Sequence, residues 1–97
     1  MLTASITVEP GGSFGWHSHP GPVQVAVTSG TFSLLQVESR RCRKHTFGPG
    51  DGFVEDGGRV HDGRNEGSEP VRLYATFLAR AGTTEFSQPE PTPKPCR

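Results

Sequence analysis

The chain has 97 residues, and its 10 lysines and arginines balance its 10 aspartates and glutamates, so the formal net charge is zero. This length suits one small domain, and the balanced charge excludes a nucleic-acid or membrane-surface partner attracted by bulk charge. Hydrophobic residues make up only 31%, whereas 13 glycines and 9 prolines interrupt the sequence. Such a composition favours short strands and tight turns over helices. Neither a long apolar run nor a leader-like segment is found, so we predict a cytoplasmic protein without a transmembrane span.

Alternating or β-branched apolar residues predict strands in the first half of the chain. These strands are expected at residues 2–8, 16–19, 23–28 and 31–37. The Ser29-Gly30 pair predicts a hairpin between the last two of them. Residues 38–44 are polar and rich in arginine and lysine. We therefore expect a solvated loop there.

In the second half of the chain, up to about residue 80, the sequence also predicts short strands separated by glycine-rich turns. They are expected at residues 53–55, 60–61 and 71–78, and the last has an apolar face of Val71, Leu73, Ala75 and Phe77. About seven strands without helical periodicity indicate a β-sandwich or small barrel over residues 1–80. Residues 81–97 are rich in proline and polar residues and predict a flexible tail. Deleting the chain after about Ser87 is expected to leave thermal stability unchanged.

The two cysteines, Cys42 and Cys96, leave two alternatives open. A disulfide could join the loop between the motifs to the tail in an oxidising compartment. Free thiols in a reduced cytoplasm are the interpretation that we favour. Neither cysteine has metal-ligand spacing to a histidine or to the other cysteine.

Three of the four histidines stand in two glycine-rich segments. His17 and His19 are two residues apart, which places both imidazoles on one face of an extended strand. His61 lies in a later segment bounded by glycines. Three neutral imidazoles with open positions for water form a site for one divalent transition metal, such as Fe, Mn, Zn, Ni or Cu. The fourth histidine, His45, lies beside the basic segment and is interpreted as a surface residue.

These two segments resemble the paired motifs of the cupin superfamily, and in particular a set of small bacterial cupins. The first motif, which has a glycine, a His-x-His pair and a closing glycine, is matched by Gly11, His17, His19 and Gly30. The second is matched by Gly50, Gly58, His61 and Asn65. Asp56 stands where the second motif has a proline. We expect Asn65 to fix the turn after His61.

The resemblance implies an all-β double-stranded β-helix, or jelly roll, with a metal held by His17, His19 and His61. The acidic ligand of the first motif does not carry over, because its position falls on Val23 or Gln24. Only Gln24 has an oxygen donor, so it is the candidate fourth ligand or a hydrogen-bonding partner for a substrate; the alternative is a plain strand residue. Cupins of this size usually form dimers, so the resemblance also implies a homodimer.

Two functions compete for such a site. The open metal site favours a small metal-dependent enzyme of the oxygenase or isomerase type, acting on a small molecule at the barrel mouth. The missing acidic ligand favours a non-catalytic cupin that binds or senses a small ligand, and the fold itself hosts both. Glu55 and Tyr74 are the nearby acid/base candidates, but strand parity leaves their directions open. Catalytic residues therefore stay unassigned.

Overall fold

The computed structural model describes residues 1–97 as two antiparallel sheets. The strands are β1 (Leu2–Val8), β2 (His17–Ser18), β3 (Val23–Ser29), β4 (Phe32–Glu38), β5 (Arg41–Phe47), β6 (Gly52–Glu55), β7 (His61–Arg64), β8 (Val71–Phe77) and β9 (Gln88–Pro89), followed by a 3-10 turn (Lys94–Cys96). One sheet has the order β1-β8-β3-β6 and the other β5-β4-β7-β2-β9. The chain thus passes back and forth between the sheets, and the fold is the predicted double-stranded β-helix. None of its helical segments is long and apolar enough to span a bilayer.

The hydrophobic core lies between the inner faces of the two sheets. Every second residue of the central strands β3 and β8 is buried, as the period of a β-strand requires. The buried apolar residues are Val8, Val23, Val25, Val27, Phe32, Leu34, Val71, Leu73 and Ala75. The predicted inward face of the last long strand is thereby confirmed.

The turn at Ser29-Gly30 is a corner between the sheets and not the predicted hairpin. β3 pairs with β6 and β8, whereas β4 pairs with β5 and β7. Gly30 has a φ of 78°, and a Cβ at this position would lie 2.4 Å from the carbonyl oxygen of Pro70. Only glycine permits this close crossing without strain. The turn residues were recognised correctly, but packing between the sheets determines which strands pair.

The basic segment predicted as a loop is mostly strand β5, which pairs along its whole length with β4. The two residues between them, Ser39 and Arg40, both have positive φ, as a tight two-residue hairpin turn requires. β5 is an edge strand, and exposed charged side chains are a common protection of such edges. His45 is exposed, as predicted, and lies 2.9 Å from the Glu38 carboxylate.

Asn65 holds together the turn that follows β7. Its side chain is buried and donates hydrogen bonds to the carbonyl oxygens of Val8, at 2.9 Å, and Glu69, at 2.7 Å. The side-chain oxygen Oδ1 of Asn65 accepts a hydrogen bond from the backbone amide of Gly67 at 3.0 Å. The expectation that Asn65 fixes this turn is confirmed.

We expect Asn65→Ala to lower the free energy of unfolding by about 2–3 kcal/mol, because buried backbone groups lose their partners. Urea denaturation measures this change. Ser68→Ala, an exposed position in the same loop, is the matched control and should stay within about 0.5 kcal/mol of the parent. Equal stabilities for the two variants would contradict the assigned role of Asn65.

The tail lies along the barrel, contrary to the flexible segment predicted over residues 81–97. β9 pairs with β2, and the carboxylate of Glu90 accepts a hydrogen bond from the Ser18 hydroxyl at 2.7 Å. Cys96 forms a disulfide with Cys42 on β5, which is the alternative that we did not favour. The composition indeed gives the tail little apolar area of its own. Pairing with β2 and a covalent link to the barrel hold it in place instead.

Candidate metal centre

Three histidines converge between the two sheets. His17 on β2 lies directly opposite His61 on β7, and His19 follows His17 by two residues. All three are buried, with 9%, 2% and 7% exposure for His17, His61 and His19. The ring centroids of His17 lie 4.3 Å from His61 and 4.8 Å from His19. The structure therefore brings together the three histidines predicted from the motifs.

Backbone carbonyl groups fix the tautomer of each ring. The Nδ1 atoms of His17, His19 and His61 lie 2.6, 2.6 and 2.9 Å from the carbonyl oxygens of Gly15, Phe86 and Arg59, in that order. Because a carbonyl oxygen can only accept, each Nδ1 carries the proton. Each Nε2 then keeps a free lone pair, which is the arrangement found in metal-binding histidines.

Glu55 is the fourth member of the cluster. Its carboxylate contacts Nε2 of His61 and lies 4.0 Å from Nε2 of His19. One ligand atom from each of the four residues can be chosen so that all lie within 4.8 Å of one another. From the sequence alone, Glu55 is only a weak acid/base candidate and not a predicted metal ligand.

The position of Glu55 explains how an acidic group reaches the cluster although the first motif lacks one. Glu55 on β6 pairs directly with Val23 on β3. Residues directly opposite each other in neighbouring strands point to the same face of the sheet. Val23 is one of the two positions at which the motif's acidic ligand would fall. The carboxylate thus enters the same space from the adjacent strand.

The structure does not support Gln24 as a ligand. Gln24 is exposed on the outer face of β3, and its buried neighbours Val23 and Val25 point inward. Alternation along the strand therefore turns the Gln24 amide away from the histidines. Tyr74, the other acid/base candidate, is half exposed on the outer face of β8.

The donor set fits a divalent transition metal. Nε2 of His61 is buried without a hydrogen-bonding partner and faces the carboxylate of Glu55. With the proton on Nδ1 of His61, both groups are acceptors, and a cation bound by both would turn their repulsion into a favourable contact. Imidazole nitrogens and a carboxylate oxygen suit iron, manganese, nickel, copper and zinc.

Burial also favours the ligating form of His17. The pKa of His17 is lowered from its usual value, chiefly because burial disfavours the charged ring. The hydrogen bond to the Gly15 carbonyl opposes this effect, and the neighbouring His61 and His19 reinforce it. A neutral imidazole is the form that binds a metal ion.

A cavity of about 220 Å³ opens onto the cluster. Its apolar wall is formed by Ile6, Phe14, Val23, Val25, Phe32, Leu73, Ala75 and Phe77. Gly63 allows two of these rings to approach, since a Cβ there would lie 2.4 Å from Phe32 and 2.8 Å from Phe14. Ser87 of the tail also lines the cavity. The centre thus faces a small, mostly apolar space.

A double-stranded β-helix with a three-histidine, one-glutamate cluster between its sheets defines the class of protein. The family model described as "Cupin domain" matches residues 4–77, and the chain belongs to this family. A search of curated proteins finds no match.

Several solved structures share the fold. An uncharacterized conserved protein with a double-stranded β-helix domain from Klebsiella pneumoniae has a TM-score of 0.63 and 24% identity, over 75% of this chain and 62% of that one. An oxalate oxidase has a TM-score of 0.66 and 22% identity, over 75% of this chain and 39% of that one. Oxalate decarboxylase from Bacillus subtilis, described with Mn(II) centres, has a TM-score of 0.67 and 25% identity, over 75% of this chain and 20% of that one. The chain spans less than two thirds of each of these proteins.

Proposed function

We propose that this cupin binds one divalent transition metal through His17, His19, His61 and Glu55 and is a metal-dependent enzyme acting on a small molecule. The observation that carries the proposal is the convergence of three buried histidines and the partly buried Glu55 on one small cavity. An oxygenase or isomerase is the reaction type that we favour. The Mn(II) centres of the Bacillus subtilis decarboxylase lend support by analogy of fold.

The metal would supply Lewis acidity or, if it is redox active, electron transfer. The chain's own residues supply the surroundings. Glu55 contributes the negative charge that partly balances the cation, and its second carboxylate oxygen can accept a proton from a bound molecule. Phe14 and Phe77 line the space with apolar surface, and electrostatic interactions are stronger in such surroundings than in bulk water.

One observation favours a second candidate function, a non-catalytic cupin that binds or senses a small ligand. Apart from the four cluster residues, the cavity lining contains no acid or base, and Ser87 supplies its one hydroxyl group. An enzyme whose reaction needs a protein base would have to use Glu55 both as a ligand and as that base. A loaded protein that binds small molecules and leaves them unchanged would identify this second function.

We expect untagged protein to carry about one equivalent of metal by elemental analysis and His61→Ala to carry almost none, because the most buried donor is removed. Circular dichroism checks that the variant is folded. His45→Ala, which removes the exposed histidine outside the cluster, is the matched control and should keep its metal. Full occupancy in His61→Ala would refute the proposed site.

The homodimer implied by the resemblance is proposed as the assembly. β1 forms an edge of the four-stranded sheet, and its outer hydrogen-bonding groups lack a neighbouring strand. Val54 and Tyr74 are exposed large side chains on the strands of the same sheet. A second copy that covers this sheet would shield both features.

The compartment is a further point of the proposal. The sequence favoured the cytoplasm, where reductants keep thiols reduced. The Cys42–Cys96 disulfide favours an oxidising compartment instead. Alkylation of free thiols followed by mass spectrometry of the protein from its native cells distinguishes the two locations.

A further inference from the structure

We infer that the molecule bound at this centre has a single metal-binding group, with at most one negative charge, attached to a small apolar body. This inference names the substrate class of the proposed metal site and therefore rests on it. The charge balance of the site, the positions of the arginines and the shape of the cavity support it separately.

No cationic side chain reaches the cavity. Its 14 lining residues include neither lysine nor arginine. The two arginines near the cluster in sequence pair with other carboxylates: Arg59 lies 3.6 Å from Asp56, and Arg64 lies 2.8 Å from Asp62. A second anionic group on a bound molecule would therefore have no partner.

The charge balance leads to the same conclusion. A divalent ion together with the Glu55 carboxylate leaves one net positive charge at the centre. One anionic group neutralises this charge. A dianion would leave an unbalanced negative charge in a mostly apolar cavity, which is strongly unfavourable. Oxalate, named for two of the structural neighbours, carries two carboxylates and is a poor match for this chain.

The cavity sets the size of the apolar body. At about 220 Å³ it exceeds the roughly 150 Å³ that accommodates benzene, and it is smaller than the roughly 300 Å³ at which drug-sized pockets begin. Phe14, Phe32 and Phe77 contribute aromatic walls, and Val25 and Ala75 contribute small aliphatic ones. A substituted benzene ring or a short branched alkyl group fits this space.

Three probes test the inference on the full-length, zinc-loaded protein. Benzohydroxamate carries one metal-binding group on a phenyl ring, acetohydroxamate carries the same group on a methyl, and oxalate carries two carboxylates. In isothermal titration calorimetry we expect benzohydroxamate to bind about tenfold or more tightly than either of the others. Zinc content is measured before and after each titration, so that removal of the metal by a probe is recognised.

Ser87→Arg provides a gain-of-binding test, because Ser87 is exposed yet lines the cavity, so the substitution should leave the fold intact. We expect the added cation to strengthen oxalate binding about tenfold, whereas the neutral control Ser87→Gln should not. Parent protein that takes up zinc but binds oxalate as tightly as benzohydroxamate would overturn the inference alone. Protein that takes up no zinc would overturn the proposed function, and this inference with it.

Discussion

Removing the carboxylate in Glu55→Val should reduce metal affinity by more than about 100-fold. Loss of a group that only hydrogen-bonds to a metal ligand already costs roughly 10- to 100-fold, and Glu55 is assigned as a ligand itself. Adding Val23→Glu to the same variant should restore much of that affinity. The reason is the register, in which Val23 and Glu55 are directly paired and point to the same face. The double variant exchanges the two side chains and moves the carboxylate to one of the two positions at which the first motif places its acidic ligand. Competition with a chromophoric chelator measures the affinities.

Gln24→Glu is the matched control for this exchange. It adds a carboxylate one residue further along β3, on the exposed face. Combined with Glu55→Val it should restore nothing, and alone it should not tighten metal binding. Restoration by Gln24→Glu, or an unchanged affinity in Glu55→Val, would contradict the assignment of Glu55.

Breaking the Cys42–Cys96 disulfide is expected to weaken both the fold and the metal site. The cysteines are 54 residues apart in sequence, and loss of such a link typically costs about 2–4 kcal/mol. For a domain of this size the melting temperature should fall by roughly 10 °C or more. Cys96→Ser and reduction by dithiothreitol should give similar shifts in a thermal melt.

The effect on the metal site follows from the contacts that the tail makes beside the histidines. The carbonyl of Phe86 accepts the Nδ1 proton of His19 at 2.6 Å, and the Glu90 amide donates to the carbonyl of Trp16 at 3.0 Å. Loosening the tail releases His19 from its fixed orientation. Loss of a hydrogen bond that orients a metal-binding histidine typically costs about 10- to 100-fold in metal affinity.

Lys94→Ser is the control for the tail experiment, since Lys94 is exposed in the same 3-10 turn and should change neither property. The structure also reverses the expectation that deletion after Ser87 is harmless, because that deletion removes both Glu90 and Cys96. Unaltered melting and metal affinity in Cys96→Ser would mean that the tail is not fastened to the barrel in solution.

The sequence by itself determined the features that depend on spacing within one strand. His17 and His19 share a face because side chains alternate along an extended chain, and the apolar face of β8 follows from the same rule. The glycine spacing around His17 and His61 was sufficient to predict the family and the double-stranded β-helix. These are local regularities, which a single strand or turn displays in full.

Only the tertiary structure decided which strands lie side by side, and this determined the fourth donor. Glu55 and Phe53 are two residues apart on β6 and therefore share a face of the strand. The sequence alone does not say whether that face points to the interior or to solvent. The pairing of Glu55 with Val23, 32 positions earlier in the numbering, assigns it to the interior. The attachment of the tail depends in the same way on contacts between Cys96 and Cys42 and between β9 and β2. Such register arises from packing of the two sheets as a whole, and no local pattern in the sequence encodes it.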